Sequence, residues 1–211
     1  MSQQLDGIEG VIFDFGEVII ELDYPRVISG FSEVAKKNVE EIHELVVTAP
    51  LLKDFEVSKI SPTEFRIGVN QLLGMSLDDD EFDFIWNSML KNLPRERMDI
   101  LADVAKRFNT FILSNSNVIH EAAYNKMIEN VTGKPNLHAF VQKAYFSQDI
   151  GLRKPGKECY QFVIDDIGID SDKLLFLDDR LDNIEGAQAC GLNTVHVTDA
   201  DRQLREIFKN G

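Results

Sequence analysis

Polar and acidic side chains follow three short apolar runs of this chain, at the points where β-strands would end. They are Asp14, Gly16 and Glu17 after residues 11–13, Ser114 and Asn115 after 111–113, and Asp178 and Asp179 after 174–177. In an open α/β sheet the carboxyl ends of parallel strands form the ligand-binding edge, so we expect these side chains to converge there. Three carboxylates in one crevice repel one another unless a divalent cation or a basic side chain offsets their charge.

These residue types are suited to chemistry on a phosphate. A carboxylate such as Asp14 is ionised at neutral pH and can attack phosphorus without a base, provided that its charge is screened from that of the phosphate. Carboxylate oxygens are ligands that Mg2+ prefers, and Lys154 supplies an ammonium. Ser114 and Asn115 would donate neutral hydrogen bonds to the phosphoryl oxygens. The pattern therefore predicts attack by Asp14 on a phosphoryl group, with Mg2+ as cofactor.

The elements that must place these side chains alternate between strand and helix patterns. Helical periodicity runs from Ile100 to Phe108, from Gly156 to Ile167 and from Leu181 to Cys190, where Gly191 follows. Residues 194–197 add a further strand at the edge of the sheet. Because parallel neighbours need a helical crossover, the alternation predicts an α/β fold with a mostly parallel sheet.

The alternation stops between residues 23 and 93, where helical patterns follow one another without a convincing strand. Ser61 opens a capping box, and Ser76, which precedes three aspartates, resembles another helix start. We therefore predict a helical cap at residues 23–93 that is inserted after the first strand and lies over the strand ends. The core is predicted to consist of residues 1–22 and 94–211.

The composition limits the partners of the protein. Of its 211 residues 44% are apolar, which is enough to bury a core, and 22 basic against 36 acidic residues give a net charge of -14. Such a surface repels nucleic acid and anionic lipid. The chain shows neither a signal-peptide pattern nor an apolar stretch of membrane-spanning length, and Cys159 and Cys190 form no CxxC motif. We expect a cytoplasmic monomer or homodimer that binds neither nucleic acid nor membrane.

Four segments resemble, in order, the motifs of the haloacid dehalogenase-like (HAD) hydrolase superfamily. They are FDFGEVI at 13–19, LSNSN at 113–117, RKP at 153–155 and FLDDRLDNIEGA at 176–187. Within the superfamily, the glycine two residues after the first aspartate is similar to that of bacterial sugar-phosphate phosphatases of the glucose-1-phosphate type. The resemblance implies a Rossmann-like three-layer core with an inserted helical cap. It also implies a Mg2+-dependent phosphatase that hydrolyses a small phosphomonoester, such as a sugar phosphate, through an aspartyl-phosphate.

The resemblance implies roles for the matching residues. Asp14 matches the nucleophile, and Ser114 and Lys154 match the residues that hold the phosphoryl group, so Asp14 and Lys154 are the expected catalytic pair. Asp179 and the backbone carbonyl of Gly16 match Mg2+ ligands beside Asp14.

Two further residues of the last motif, Asp178 and Asn183, would support the metal site from nearby positions. Asp178 and Asp179 also have a second interpretation, because either carboxylate is a candidate N-cap for the helix that begins near Leu181.

One residue departs from the family pattern. Many members have an aspartate where this chain has Gly16, and that aspartate protonates the leaving group and later activates water. General acid-base help is typically worth about 10^2- to 10^4-fold in rate, so Gly16 predicts slow turnover or a substrate with a good leaving group. Glu17 is the first candidate to replace the missing acid, ahead of Glu21 and Asp23, because it is nearest in sequence, and we count it among the substrate-binding residues.

Two other functions remain open. A metal-independent 2-haloacid dehalogenase would use the Asp14 carboxylate to attack carbon and would not need the acid missing at Gly16, although the pair Asp178-Asp179 is difficult to explain without a cation. A degenerate protein that binds a phosphorylated metabolite without turnover would also be consistent with Gly16.

Overall fold

The computed structural model describes residues 5–47 and 50–209 and contains a five-stranded parallel sheet. The strands are β1 (Gly10–Phe13), β2 (Glu21–Leu22), β3 (Leu90–Asn92), β4 (Asn109–Ser114), β5 (Lys143–Phe146), β6 (Leu174–Asp178) and β7 (Asn193–His196). The order in the main sheet is β5-β4-β1-β6-β7, and β2 pairs with β3 in a separate antiparallel ribbon. The strand that Asp14 follows, β1, therefore lies in the centre of the sheet.

The described residues between β2 and β3 form five helices, and we call them the cap helices. They are α1 (Tyr24–Ala35), α2 (Val39–Val47), α3 (Pro50–Glu56), α4 (Pro62–Leu73) and α5 (Asp79–Asn87). The other helices alternate with the strands of the main sheet: α6 (Arg95–Val104), α7 (Val118–Thr132), α8 (Ser147–Ile150), α9 (Lys157–Ile167), α10 (Leu181–Gln188) and α11 (Ala200–Phe208). No helix within the described ranges combines the length and the apolar character that a membrane span requires.

The central strand is buried from both sides. Val11 and Phe13 pack on the face that α6, α7 and α11 cover, whereas Ile12 packs on the face that α9 and α10 cover. Successive residues of a strand point to opposite faces, so a strand covered on both faces is apolar throughout. The predicted α/β fold, with three layers and a mostly parallel sheet, is confirmed.

Three strands, β2, β3 and β5, were not predicted. Leu90–Asn92 pairs with Glu21–Leu22, so the segment 23–93, predicted to lack strands, contains one. Two of its three residues are exposed, and no apolar alternation marks it. Lys143–Phe146 forms the edge of the sheet beside β4, and its four residues are too few to give a clear pattern.

The helix starts in the cap follow from local side-chain chemistry. The capping box at Ser61 is confirmed, since its hydroxyl accepts from the backbone N–H of Glu64 and the Glu64 carboxylate accepts from the N–H of Ser61. The start predicted near Ser76 lies instead at Asp78, which forms a second capping box with Glu81.

The cap helices have a core of their own. Its centre is a group of aromatic rings: Phe31, Phe55, Phe65, Phe82 and Trp86. Phe55 stacks on Phe65 with ring centroids 4.2 Å apart, which ties α3 to α4. Trp86 stacks on His120 of α7 at 5.1 Å, so α5 also packs against the main sheet domain. The domain boundaries at 22/23 and 93/94 remain a prediction.

Candidate active site

Strands β1 and β6 end side by side and bring two carboxylates together. Their parallel register pairs Phe13 with Leu177, so Asp14 and Asp178 follow at the same edge of the sheet. The Lys154 Nζ lies between them, 2.9 Å from Asp14 Oδ1 and 2.6 Å from Asp178 Oδ2. Residues that lie far apart in the sequence thus form one charged cluster at the carboxyl end of the sheet.

Burial sets the electrostatics of this cluster. Asp14 is 7% exposed, Lys154 1% and Asp178 0%. Burial raises the pKa of Asp14 to about 7, an effect that Lys154 opposes and Asp178 reinforces. Burial alone would lower the pKa of Lys154, but the attraction of Asp14 and Asp178 outweighs it and holds that pKa above its ordinary value. Lys154 is therefore an ammonium at neutral pH.

Asp178 accepts three hydrogen bonds besides its contact with the lysine. Asn183 Nδ2 donates to both of its oxygens, at 2.9 and 3.1 Å, and the Arg180 N–H donates to Oδ1 at 2.9 Å. The backbone of Asn183 is itself fixed, since its main-chain carbonyl accepts from the Tyr160 hydroxyl at 2.8 Å. Arg180 occupies the N-cap position of α10 without a side-chain cap bond, so neither Asp178 nor Asp179 is the N-cap residue.

Three carboxylates could share one cation. Oxygens of Asp14, Asp178 and Asp179 lie within 4.8 Å of one another, and burial, followed by repulsion from Asp178, raises the pKa of Asp179. When all three carboxylates are ionised, the single Lys154 ammonium leaves two negative charges uncompensated, which a divalent ion would neutralise. The donors are all oxygens, which fits Mg2+. The Gly16 carbonyl accepts from the Val18 N–H at 2.6 Å and retains a second lone pair.

The turn after β4 holds the loop that carries the lysine. Asn115 accepts from the Lys154 N–H through Oδ1 and donates to the Lys154 carbonyl through Nδ2, both at 2.9 Å. The side chain of Asn115 thus positions Lys154, and its donation to a phosphoryl group stays a prediction. The hydroxyl of Ser114 is buried and makes only a 3.5 Å contact with the Asn115 carbonyl among the described residues. It is available to a ligand.

A glycine allows α10 to pack against the same loop. A Cβ atom at Gly186 would lie 2.9 Å from the Pro155 carbonyl oxygen and 2.8 Å from the Tyr160 ring. Real Cβ atoms essentially never approach so closely, and the backbone of Pro155 cannot swing aside as a flexible side chain can. Gly186 therefore lets the loop bring Lys154 up to Asp14.

Glu17 lies in the turn between β1 and β2. Its φ of 56° is in the left-handed region, and its Oε1 accepts from the Leu22 N–H at 3.1 Å. The Glu17 charge contributes to the raised pKa of Asp179, after burial and Asp178. One oxygen of Glu17 is already hydrogen-bonded within the turn, and the role of Glu17 as a replacement acid stays a prediction.

Several residues near the site were not predicted from the sequence. Tyr24, which is 54% exposed, begins the cap, and partial burial, then the charges of Asp14 and Asp179, raises the pKa of its phenol. Glu56, the last residue of α3, pairs with Arg153 at 2.7 Å. These contacts depend on where the cap helices lie over the sheet, and no local sequence pattern in the cap predicts the position of those helices.

Comparisons with known proteins identify the family and the relatives of the chain. The family of haloacid dehalogenase-like hydrolases matches residues 8–191. D-ribitol-5-phosphate phosphatase of Bacteroides thetaiotaomicron is 26% identical over 187 residues, which are 89% of this chain and 90% of that protein.

Solved structures share the whole architecture. A HAD-family enzyme from Bacteroides thetaiotaomicron, crystallised with magnesium and inorganic phosphate, has a TM-score of 0.82 at 27% identity, over 95% of this chain and 99% of the other. L-2-haloacid dehalogenase from Xanthobacter autotrophicus has a TM-score of 0.58 at 16% identity, over 97% of this chain and 84% of the other, and shares the fold alone.

Proposed function

The chain belongs to the haloacid dehalogenase-like hydrolases, and we propose that it is a Mg2+-dependent phosphatase that hydrolyses a small phosphomonoester through an aspartyl-phosphate. The observation that carries the proposal is the buried cluster in which Lys154 Nζ contacts both Asp14 and Asp178. A phosphoryl group bound above Asp14 would meet a nucleophilic carboxylate and an ammonium in one place. The magnesium and phosphate complexes of the Bacteroides enzyme support this assignment.

In the proposed reaction, a carboxylate oxygen of Asp14 forms a bond to phosphorus as the bond from phosphorus to the substrate oxygen breaks. Water then hydrolyses the acyl phosphate, which releases inorganic phosphate and regenerates Asp14. Lys154 and the Ser114 hydroxyl bind the phosphoryl oxygens in both steps. The proton for the leaving oxygen has no donor at Gly16, and we propose Glu17 for this role.

The residues proposed to hold Mg2+ are Asp14, Asp179 and the carbonyl of Gly16, with Asp178 and Asn183 supporting them. When bound, the ion would screen the carboxylates from the negative charge of the phosphate. The chain's own contribution is positional, since Asn183 and Lys154 fix Asp178 and Asn115 fixes the lysine loop.

A sugar phosphate or a related polyol phosphate is the proposed substrate class, and the ribitol-phosphate phosphatase among the relatives supports it. The phosphorylated metabolite is the only partner that we propose: the acidic surface disfavours nucleic acid and membranes, and we propose a cytoplasmic monomer or homodimer. The 2-haloacid dehalogenase is not favoured, because a cluster of three carboxylates is superfluous for attack on carbon without a metal.

Phosphate release from a panel of sugar, polyol and aryl phosphates tests the proposal. We expect turnover that EDTA abolishes, that added Mg2+ restores and that Asp14→Asn removes. Activity that survives Asp14→Asn would overturn the mechanism. Halide release from 2-haloacids in EDTA would favour the dehalogenase, and thermal stabilisation by a phosphate ester without turnover would favour a binding protein.

A further inference from the structure

An acidic side chain of the cap lies beside the loop that carries Lys154. Glu56 ends α3, and its side chain is 14% exposed. Its Oε2 accepts from Nε of Arg153 at 2.9 Å and lies 2.7 Å from Nη2 of the same residue. Arg153 directly precedes Lys154, whose ammonium contacts Asp14. Glu56 is therefore the cap residue that is tied to the phosphate-binding loop.

Two further observations describe the surroundings of Glu56. Ser58, two residues later, donates to the Gln148 carbonyl at 2.8 Å and anchors the turn between α3 and α4 to the core. Burial raises the pKa of Glu56, while Arg153 and then Arg180 oppose the shift. Arg180 follows Asp179, so positive charges on both loops that flank Asp14 act on the Glu56 carboxylate.

The Glu56–Arg153 pair leaves hydrogen-bonding capacity unused. Arg66 and Asp83, an ion pair within the cap, engage two nitrogens with two oxygens, at 2.8 and 2.7 Å. That is the bidentate fork geometry of an arginine–carboxylate pair, in which both oxygens are engaged. In Glu56–Arg153 both contacts fall on a single oxygen, and neither Glu56 Oε1 nor Arg153 Nη1 has a hydrogen-bond partner among the described residues.

We infer that Glu56 and Arg153 form a hydroxyl-binding subsite, with Glu56 Oε1 accepting from, and Arg153 Nη1 donating to, the hydroxyl groups of a polyhydroxylated phosphomonoester. The inference rests on the proposed function and gives it a specificity-determining residue. A partly buried carboxylate that meets a hydroxyl gains a charged hydrogen bond, whereas an aryl ester leaves that oxygen unpaired. Glu56 thus selects sugar and polyol phosphates over phosphates that lack hydroxyl groups.

Steady-state phosphate release from D-ribitol 5-phosphate and from phenyl phosphate tests the subsite, with full-length wild type, Glu56→Gln and Asp83→Asn. Glu56→Gln should lower kcat/KM for the polyol phosphate by about 10- to 100-fold, mainly through KM, and leave phenyl phosphate unchanged. Asp83→Asn, which breaks the comparable cap ion pair, should leave the ratio of the two substrates unchanged. If Glu56→Gln does not fold, Glu56→Asp retains the charge, withdraws the oxygen and should show the same selective loss.

Three results would overturn the inference. An equal loss for both substrates, or no loss for either, would show that Glu56 does not recognise hydroxyl groups. A selective loss in Asp83→Asn would attribute the effect to cap stability. Wild-type turnover of phenyl phosphate, dependent on Asp14, without turnover of any sugar or polyol phosphate would remove the subsite but leave the phosphatase proposal standing. Turnover that survives Asp14→Asn would instead remove the phosphatase proposal itself.

Discussion

Removing the ammonium from the buried cluster gives a stability change that can be worked out from the structure. Lys154→Met keeps an unbranched apolar side chain and deletes the charge that contacts Asp14 at 2.9 Å and Asp178 at 2.6 Å. Both carboxylates are then buried without a cation, and breaking a buried pair in this way costs about 3 to 5 kcal/mol. The variant is also expected to lose phosphatase activity.

A double-mutant cycle separates this electrostatic effect from packing. Asp178→Asn in the Lys154→Met background removes one of the two stranded charges, so the double variant should lose less stability than the sum of the single variants. Residues in direct contact typically show a coupling of about 0.5 to 3 kcal/mol. Urea unfolding in EDTA, analysed by linear extrapolation, measures each free energy of unfolding.

The control is a lysine that is paired at the surface. Lys106 contacts Asp103 at 2.7 Å, but its side chain is 73% exposed, so Lys106→Met should leave the urea midpoint unchanged. Coincident midpoints for Lys154→Met and Lys106→Met would refute the reasoning, as would additive effects in the cycle. Either result would mean that solvent screens the charges of Asp14, Lys154 and Asp178 as it screens those of a surface pair.

Three further predictions follow from single contacts. Burial lowers the pKa of His120 to about 3 from 6.5, so the folded state stays neutral while the unfolded chain gains a proton below pH 6.5. This contribution to stability is complete above pH 6.5, and it falls by about 2 kcal/mol between pH 7 and pH 5. Urea midpoints at both pH values should show a smaller difference in His120→Gln, and an equal difference would contradict the burial argument. Asn115→Ala frees the backbone of Lys154 and should lower kcat by about 10- to 100-fold, whereas an unchanged kcat would show that the loop holds its place unaided. Gly186→Ala pushes a methyl group against Pro155 and Tyr160, and overpacking of this kind costs about 1 to 3 kcal/mol, which a lower melting temperature would reveal and an unchanged one would exclude.

The central strands could be predicted because a strand that is buried on both faces consists of apolar residues throughout. Residues 11–13 and 174–177 are continuous apolar runs, as strands covered on both faces must be, and the register that pairs Phe13 with Leu177 then places the following aspartates together. The strand β3 left no such pattern, because two of its three residues face solvent. Its existence follows from pairing with Glu21–Leu22, which is a tertiary contact.

The start of α5 shows how local chemistry can mislead by a few residues. Ser76 and Asp78 are both good N-cap residues, and each precedes an acidic stretch. Asp78 is the N-cap because Glu81 stands three residues later and returns a hydrogen bond to the Asp78 N–H. Glu81 therefore decides where the helix begins, and the capping-box spacing distinguishes the two possible starts in the sequence.

The cap contacts lay beyond sequence reasoning for a different reason. Glu56 and Arg153 are 97 positions apart, and Asn87 and His120 are 33 apart, so each contact exists only once the cap helices are packed over the sheet. The buried charged cluster, in contrast, includes Asp14 and Asp178, which follow strand ends, and the order and register of the strands set the positions of those ends. Substitutions at Asp14, Lys154 or Asp178 should therefore lower the turnover of every substrate alike. The effect of a substitution at Glu56 should instead depend on whether the substrate carries hydroxyl groups. Kinetics that failed to separate the two groups would mean that the cap does no more than cover the site.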